Sequence, residues 1–170
     1  MSEHDKLAFR EQVRPDDAAA VCEIVTSTGF FHDHEVAVAV ELVEERLEKG
    51  TGSGYLFLFA ELAGRTVGYS CYGEIACTAG SYDLYWIAVH DAQRHRGIGR
   101  VLLERTEALI AGLRGRVIFV ETSGREKYLP TRQFYRRCGY HEEAVLKGFY
   151  ADGDDKVIYA KRLEAAWSKK

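Results

Sequence analysis

The residues best suited to hold a charged ligand are Arg94-His95-Arg96-Gly97-Ile98-Gly99-Arg100. They follow an apolar run of strand length, Tyr85-Trp86-Ile87-Ala88-Val89, and open an amphipathic stretch. Glycines permit a tight turn and a close backbone approach. The N–H groups and dipole of a helix starting there favour an anion. The chemistry implied is a seat for a phosphorylated cofactor. The segment lacks the third glycine of a dinucleotide fold and the Gly-Lys-Ser/Thr of a phosphate loop, which weakens a nucleotide-binding reading. No metal site is expected: His32-Asp33-His34 brings two histidines without further ligands and reads as a solvated loop. Cys22, Cys71, Cys77 and Cys138 form no Cys-x-x-Cys pair and read as buried free thiols; a Cys71–Cys77 disulfide is the disfavoured alternative.

The elements that must position this turn can be read from periodicity. Leu7 to Val13 alternates as a strand, and Arg14-Pro15-Asp16-Asp17 stops it and offers helix caps. A helix with Val21, Ile24 and Val25 on one face follows, then a loop over Gly29 to His34. Val36, Val40, Val43 and Leu47 mark the inner face of a second helix, opposite Glu41, Glu44, Glu45 and Glu48. Tyr55 to Leu62 and Thr66 to Glu74 flank the turn Ala63-Gly64-Arg65 as a hairpin. A strand over Tyr82 to Val89, a helix from Gly97 to Leu113 and a doubly buried strand at Val117-Ile118-Phe119-Val120 come next. Pro130 opens a helix that runs to Cys138 and ends at Gly139. A last hairpin pairs Ala144–Phe149 with Lys156–Leu163 around Asp152-Gly153. Helices interrupting a mixed sheet make the fold class α/β, or α+β, with both faces covered.

The chain has 170 residues, 46% hydrophobic and 29% charged, with a net charge of −3. That suits one domain over 1–170 and gives no support for nucleic-acid binding. No apolar run reaches membrane-spanning length, and the N-terminus has no signal-peptide core, so a cytoplasmic location without a membrane partner is expected.

The motif order has a known counterpart. Arg94, Gly97 and Gly99 match Q/R-x-x-G-x-G/A, and Phe134, Tyr135, Gly139 and Tyr140 match F-Y-x-x-x-G-F/Y. The chain resembles the GNAT superfamily of N-acetyltransferases from about Leu7 to Leu163. The resemblance implies a mixed, mostly antiparallel sheet of about seven strands, splayed between the fourth and fifth and flanked by about four helices. It implies acetyl-CoA as co-substrate, with the pyrophosphate on the N–H groups of Arg96, Gly97, Ile98, Gly99 and Arg100, and the pantetheine arm beside Ile87, Ala88 and Val89. The family's usual pantetheine-binding asparagine is missing from Thr122 to Tyr128, where Ser123 and Tyr128 are the available substitutes.

Acetyl transfer to an amine needs a base, because an alkylammonium has a pKa of about 10. It needs a donor for the developing oxyanion, for which the Val89 N–H is a candidate. It gains from an acid for the departing thiolate, and Tyr135 stands where the resemblance puts that acid. Asp83 is the first candidate base, with Glu121 second and Glu74 third; a turn carboxylate is an equal reading of Asp83. Tyr135 as a packed aromatic and Cys138 as a core thiol are the bland alternatives. Asp33, Glu35, Asp152, Asp154 and Asp155 would give the acceptor side a negative rim. Phe30, Phe31, Tyr72 and Tyr82 line the acceptor cleft or belong to the core. The expected activity is N-acetylation of a small-molecule amine by direct attack, in a chain that could pair as a homodimer. A protein acetyltransferase and a non-catalytic acyl-CoA sensor are the alternatives.

Overall fold

The computed structural model describes residues 7–164; residues 1–6 and 165–170, the ends of the expected 1–170 domain and the stretch expected to lack a signal core, lie outside the described residues. Seven strands, β1 (Ala8–Arg10), β2 (Leu56–Leu62), β3 (Arg65–Glu74), β4 (Ser81–Val89), β5 (Val117–Ser123), β6 (His141–Ala151) and β7 (Asp154–Arg162), are ordered β1-β2-β3-β4-β5-β7-β6. The four α-helices are α1 (Asp17–Ser27), α2 (Asp33–Lys49), α3 (Ile98–Gly112) and α4 (Leu129–Arg137). The sheet is mixed, with β4 and β5 parallel. None of the described helices is long and apolar enough to cross a membrane.

The chain divides into two compact units, the described part of Met1–Gly73 with Trp86–Thr106, and Glu74–Tyr85 with the described part of Glu107–Lys170. The first contains β1 to β3, the end of β4, α1, α2 and most of α3. Val21, Ile24 and Val25 of α1, Ala39 and Val43 of α2 and Phe57, Phe59, Tyr69 and Cys71 of the sheet form its core. The buried positions of α2 are Ala39 and Val43, so Ala39 takes the place expected of Val40, and Leu47 is left exposed. β1 is shorter than the expected Leu7 to Val13. The Arg14 N–H donates to Asp17 Oδ2 at 2.6 Å, and the Arg10 guanidinium grips both Asp17 oxygens at 2.8 Å and also the Gln12 carbonyl. That backbone is drawn into a side-chain network instead of a ladder. The Asp17 carboxylate is nearly dry, so replacing Arg10 leaves it a buried charge at a cost of about 3–5 kcal/mol, whereas replacing Asp17 leaves Arg10 paired with Glu61 at 2.8 Å.

The second unit contains the start of β4, the end of α3, β5, α4 and the β6–β7 hairpin. β5 pairs antiparallel with β7 from Val117↔Arg162 to Ser123↔Lys156. Side chains alternate across a strand, so this register sorts the unit into two faces. Ile118, Val120, Val157 and Tyr159 are buried on one, against the rings of Tyr135 and Tyr140. Asp83, Phe119, Glu121, Lys156 and Ile158 share the other. The β6 strand is longer than expected because its pairing with β7 reaches His141↔Ala160.

All four cysteines are free. Cys71 is buried, but Cys22 and Cys77 are exposed, contrary to the expectation of buried thiols. Cys22 lies on the exposed flank of α1, beside the buried Val21 and Val25, and Cys77 lies in the turn between β3 and β4.

Candidate functional site

In the first unit the backbone makes the turn. His90 at the end of β4 donates its N–H to Val67 O on β3 at 2.8 Å. Successive N–H groups of a strand alternate between its edges, so those of Val89 and Ile87 point away from β3. A 3-10 turn at Asp91–Gln93 follows, and then His95 and Gly97 both adopt left-handed φ, +62° and +78°. Only Gly97 does so without steric cost; His95 is held in a strained conformation, as is common where a fold shapes a ligand site. Helix α3 starts at Ile98, and its first turn bond runs from the Val101 N–H to Gly97 O. The N–H groups of Ile98 and Gly99 come before that bond and have no carbonyl one turn back. A Cβ added at Gly97 would meet nothing within 4 Å, so the turn is open above the glycine. This arrangement suits a diphosphate.

The arginines around the turn differ. Arg94 pairs with Asp91 at 3.2 Å and lies 5.1 Å from the Phe30 ring centroid, which braces the loop. Arg96 bonds to Gln93, and Arg100 makes an i,i+4 pair with Glu104 at 2.9 Å on an exposed surface. Phe31 packs on Trp86 at 4.9 Å. His32 caps α2, where its N–H donates to Glu35 at 2.8 Å, so Glu35 serves the helix end. No cluster of three or more His, Cys, Asp or Glu side chains that could hold a metal occurs among the described residues.

In the second unit the chemistry-bearing groups are side chains. The parallel β4–β5 pairing runs from Ser81↔Val117 to Asp83↔Phe119 and stops there, leaving the rest of the nine-residue β4 outside it. Asp83 stands at that last pair. Burial and the neighbouring Glu121 charge hold its carboxyl above the usual range, while Lys156 works the other way. Glu121 is more exposed and its Oε2 is 2.6 Å from Lys156 Nζ. The ion pair therefore engages Glu121 and not Asp83. Glu74, at the end of β3, is exposed.

Tyr135 is 6% exposed on α4, with ring centroids 5.5 Å from Phe134, 5.5 Å from Tyr140 and 6.4 Å from Tyr159. Burial pushes its phenol well above the ordinary tyrosine range, so it stays protonated through neutral pH. The sheet therefore separates the carboxylates from the tyrosine, one on each face. Cys138 ends α4, and its carbonyl accepts from Lys161 Nζ at 2.9 Å, which also binds Glu107 at 2.6 Å. The Ser123 hydroxyl donates to Asp154 and accepts from the Arg125 N–H, so its one proton is committed. Tyr128 lies in a 3-10 turn with Lys127 over its ring.

The negative rim is smaller than expected. Asp154 is buried and paired with Arg125 at 3.1 Å. Asp155 binds Lys147 at 2.8 Å and the Gly148 N–H at 2.9 Å, which hold its carboxyl below the usual range. Lys156 is the neighbour of the two carboxylates that sequence reasoning missed. Its place beside Glu121 follows from the β5–β7 register, which no local pattern encodes.

Residues 53–142 match the model of the acetyltransferase (GNAT) domain. A crystal structure assigned to the GNAT family, from Desulfovibrio desulfuricans, is 50% identical, with TM-score 0.91 over 92% of this chain and 99% of that one. The chain belongs to the GNAT acetyltransferase family. Among GNAT relatives, an uncharacterised N-acetyltransferase of Methanocaldococcus jannaschii is 30% identical over 62% of this chain, and the match spans 65% of that protein, just under two thirds of its length. An N-alpha-acetyltransferase of Sulfurisphaera tokodaii is 28% identical over 63% of this chain and 69% of that protein.

Proposed function

We propose that this GNAT protein transfers the acetyl group of acetyl-CoA to the primary amine of a small molecule by direct attack in a ternary complex. The observation that carries the reading is the early end of the β4–β5 pairing at Asp83↔Phe119, downstream of which β4 leads into the glycine turn. A strand edge released in this way can pair with the amide-bearing pantetheine arm through the N–H and C=O groups of Ile87 and Val89. The pyrophosphate rests on the first turn of α3, with Arg96 and Arg100 near by and Arg94 bracing the loop. Ser123 and Tyr128 are the substitutes proposed for the missing asparagine, and the Ser123 hydroxyl would have to act as an acceptor, since its proton is already used.

In the proposed reaction Asp83 takes a proton from the acceptor ammonium, directly or through water. The neutral amine forms the new C–N bond as the C–S bond breaks. The Val89 N–H donates to the carbonyl oxygen while negative charge develops on it. Tyr135 donates a hydrogen bond, and finally a proton, to the departing thiolate, and is reprotonated by the second proton that the nitrogen sheds as the amide forms. Its raised pKa makes it a constant donor but a reluctant acid, and the thiolate, with a pKa of about 8.5, asks little of it.

A second reading takes a protein N-terminal α-amine as acceptor; the N-alpha-acetyltransferase of Sulfurisphaera favours it. Thiol release from acetyl-CoA over a panel of small amines and short peptides tests both. Release that depends on a small amine supports the first reading, and release only with peptides supports the second. CoA binding without amine-dependent release would leave an acyl-CoA sensor and overturn both.

A further inference from the structure

Within the Glu74–Tyr85 and Glu107–Lys170 unit, the sheet face opposite the tyrosines carries three charges together. Asp83 lies on β4, Glu121 on β5 and Lys156 on β7; the pairings Asp83↔Phe119 and Ser123↔Lys156 put all three on one side. Lys156 is fixed there. Its Nζ lies 2.6 Å from Glu121 Oε2 and 3.7 Å from the Phe149 ring centroid, and only 12% of its side chain is exposed. An ion pair and a cation–π contact on the same ammonium leave it little freedom to swing away.

Two carboxylates and one ammonium leave this patch with one net negative charge. On the adjoining β6–β7 hairpin Lys147 pairs with Asp155, Arg162 with Glu143, and Glu142 with Arg136 of α4. Beside the charges stand large exposed apolar side chains, Tyr85 at 41%, Leu146 at 42% and Phe149 at 52%.

We propose that Lys156 selects the acceptor as a primary amine of single positive charge with an apolar body, by cancelling Glu121 and leaving Asp83 as the one unbalanced carboxylate on this face. The proposal rests on the N-acetyltransferase reading and names its substrate class. A monocation placed at Asp83 is balanced. A dication brings a second ammonium into a region where Lys156 already supplies one, and like charges repel. The apolar side chains then reward a hydrocarbon or aryl body over a polar one.

The test compares phenethylamine, with one charge and an aryl body, and 1,4-diaminobutane, with two charges and none. Calorimetric binding to the CoA complex and kcat/KM in the thiol-release assay are measured for wild type, Lys156→Met and Lys156→Arg, with CoA binding as the check on folding. Wild type should prefer phenethylamine. Lys156→Met should move the ratio toward the diamine by about tenfold, and Lys156→Arg should restore it. Both amines use the same base, so any change at Asp83 cancels in the ratio. A ratio unmoved in a CoA-binding Lys156→Met protein, or a wild type that prefers the diamine, overturns the proposal. Calorimetry reads the preference without turnover. Absence of amine-dependent thiol release therefore counts against the transferase reading alone, while an unmoved ratio counts against this selection alone.

Discussion

The two units use their charged residues in opposite ways. Around the glycine turn, Arg94, Arg96 and Arg100 are engaged by Asp91, Gln93 and Glu104, while the feature suited to an anion is main chain: His95 and Gly97 in left-handed conformations and the first turn of α3. In the other unit the backbone is ordinary ladder, and Asp83 carries an upward-shifted carboxyl on a face where Glu121 is already paired. A seat made of backbone should tolerate side-chain changes and resist few others. A reaction centre made of side chains should fail when one atom is replaced.

The sharpest way to break that contrast is Asp83→Asn. Turnover should fall by about a hundredfold to ten-thousandfold in the thiol-release assay, the usual range for a positioned base. The same change should raise the melting temperature at neutral pH. A carboxyl whose folded pKa is raised stabilises the fold only while protonated, and loses that contribution as pH rises through the folded pKa. By the same sign, the acid limb of the rate profile should lie above the range of an unperturbed aspartate. Retained turnover in Asp83→Asn would move the base elsewhere.

Tyr135→Phe should be milder. Thiolate departure needs little help, so a loss of about tenfold in kcat, with the KM for acetyl-CoA nearly unchanged, is expected. A larger rise in KM than fall in kcat would make the ring a packing element of the Tyr140–Tyr159 cluster instead. On the backbone side, Gly97→Ala meets no neighbour but forces alanine to φ +78°, a strain of about 1 kcal/mol. CoA binding by calorimetry should weaken by about fivefold. Arg100→Gln should be smallest, within about twofold at physiological salt, because the exposed guanidinium is screened and shared with Glu104. A tenfold loss there would turn the seat from backbone-made to side-chain-made.

The same contrast explains what the sequence disclosed. The glycine turn was legible because glycine spacing, a preceding apolar strand and a following amphipathic helix are all local. The β2–β3 hairpin was legible because Ala63 and Gly64, both at positive φ, form a two-residue turn. Tyr135 was found only through its motif, and nothing local said that Tyr140 and Tyr159 would bury it. Lys156 gave no signal, since its role depends on which β5 residue it opposes. Asp154 and Asp155 read as a negative rim because Arg125, Ser123 and Lys147, which take up their charge, lie elsewhere along the chain. Leu47 was assigned to the core by spacing and is left exposed near the end of α2, beyond the buried Val43.

Ser70 on β3 and Thr106 on α3, both fully buried, carry a consequence of another kind. The Thr106 hydroxyl donates to Leu102 O at 2.8 Å, so the 2.7 Å contact between the two hydroxyls must be donated by Ser70. Replacing one member strands a buried polar group at a cost of about 1–3 kcal/mol, whereas Ser70→Ala combined with Thr106→Val would be close to neutral. Among relatives the two positions should therefore change together, and Ser70→Ala with Thr106 kept should be the rare class.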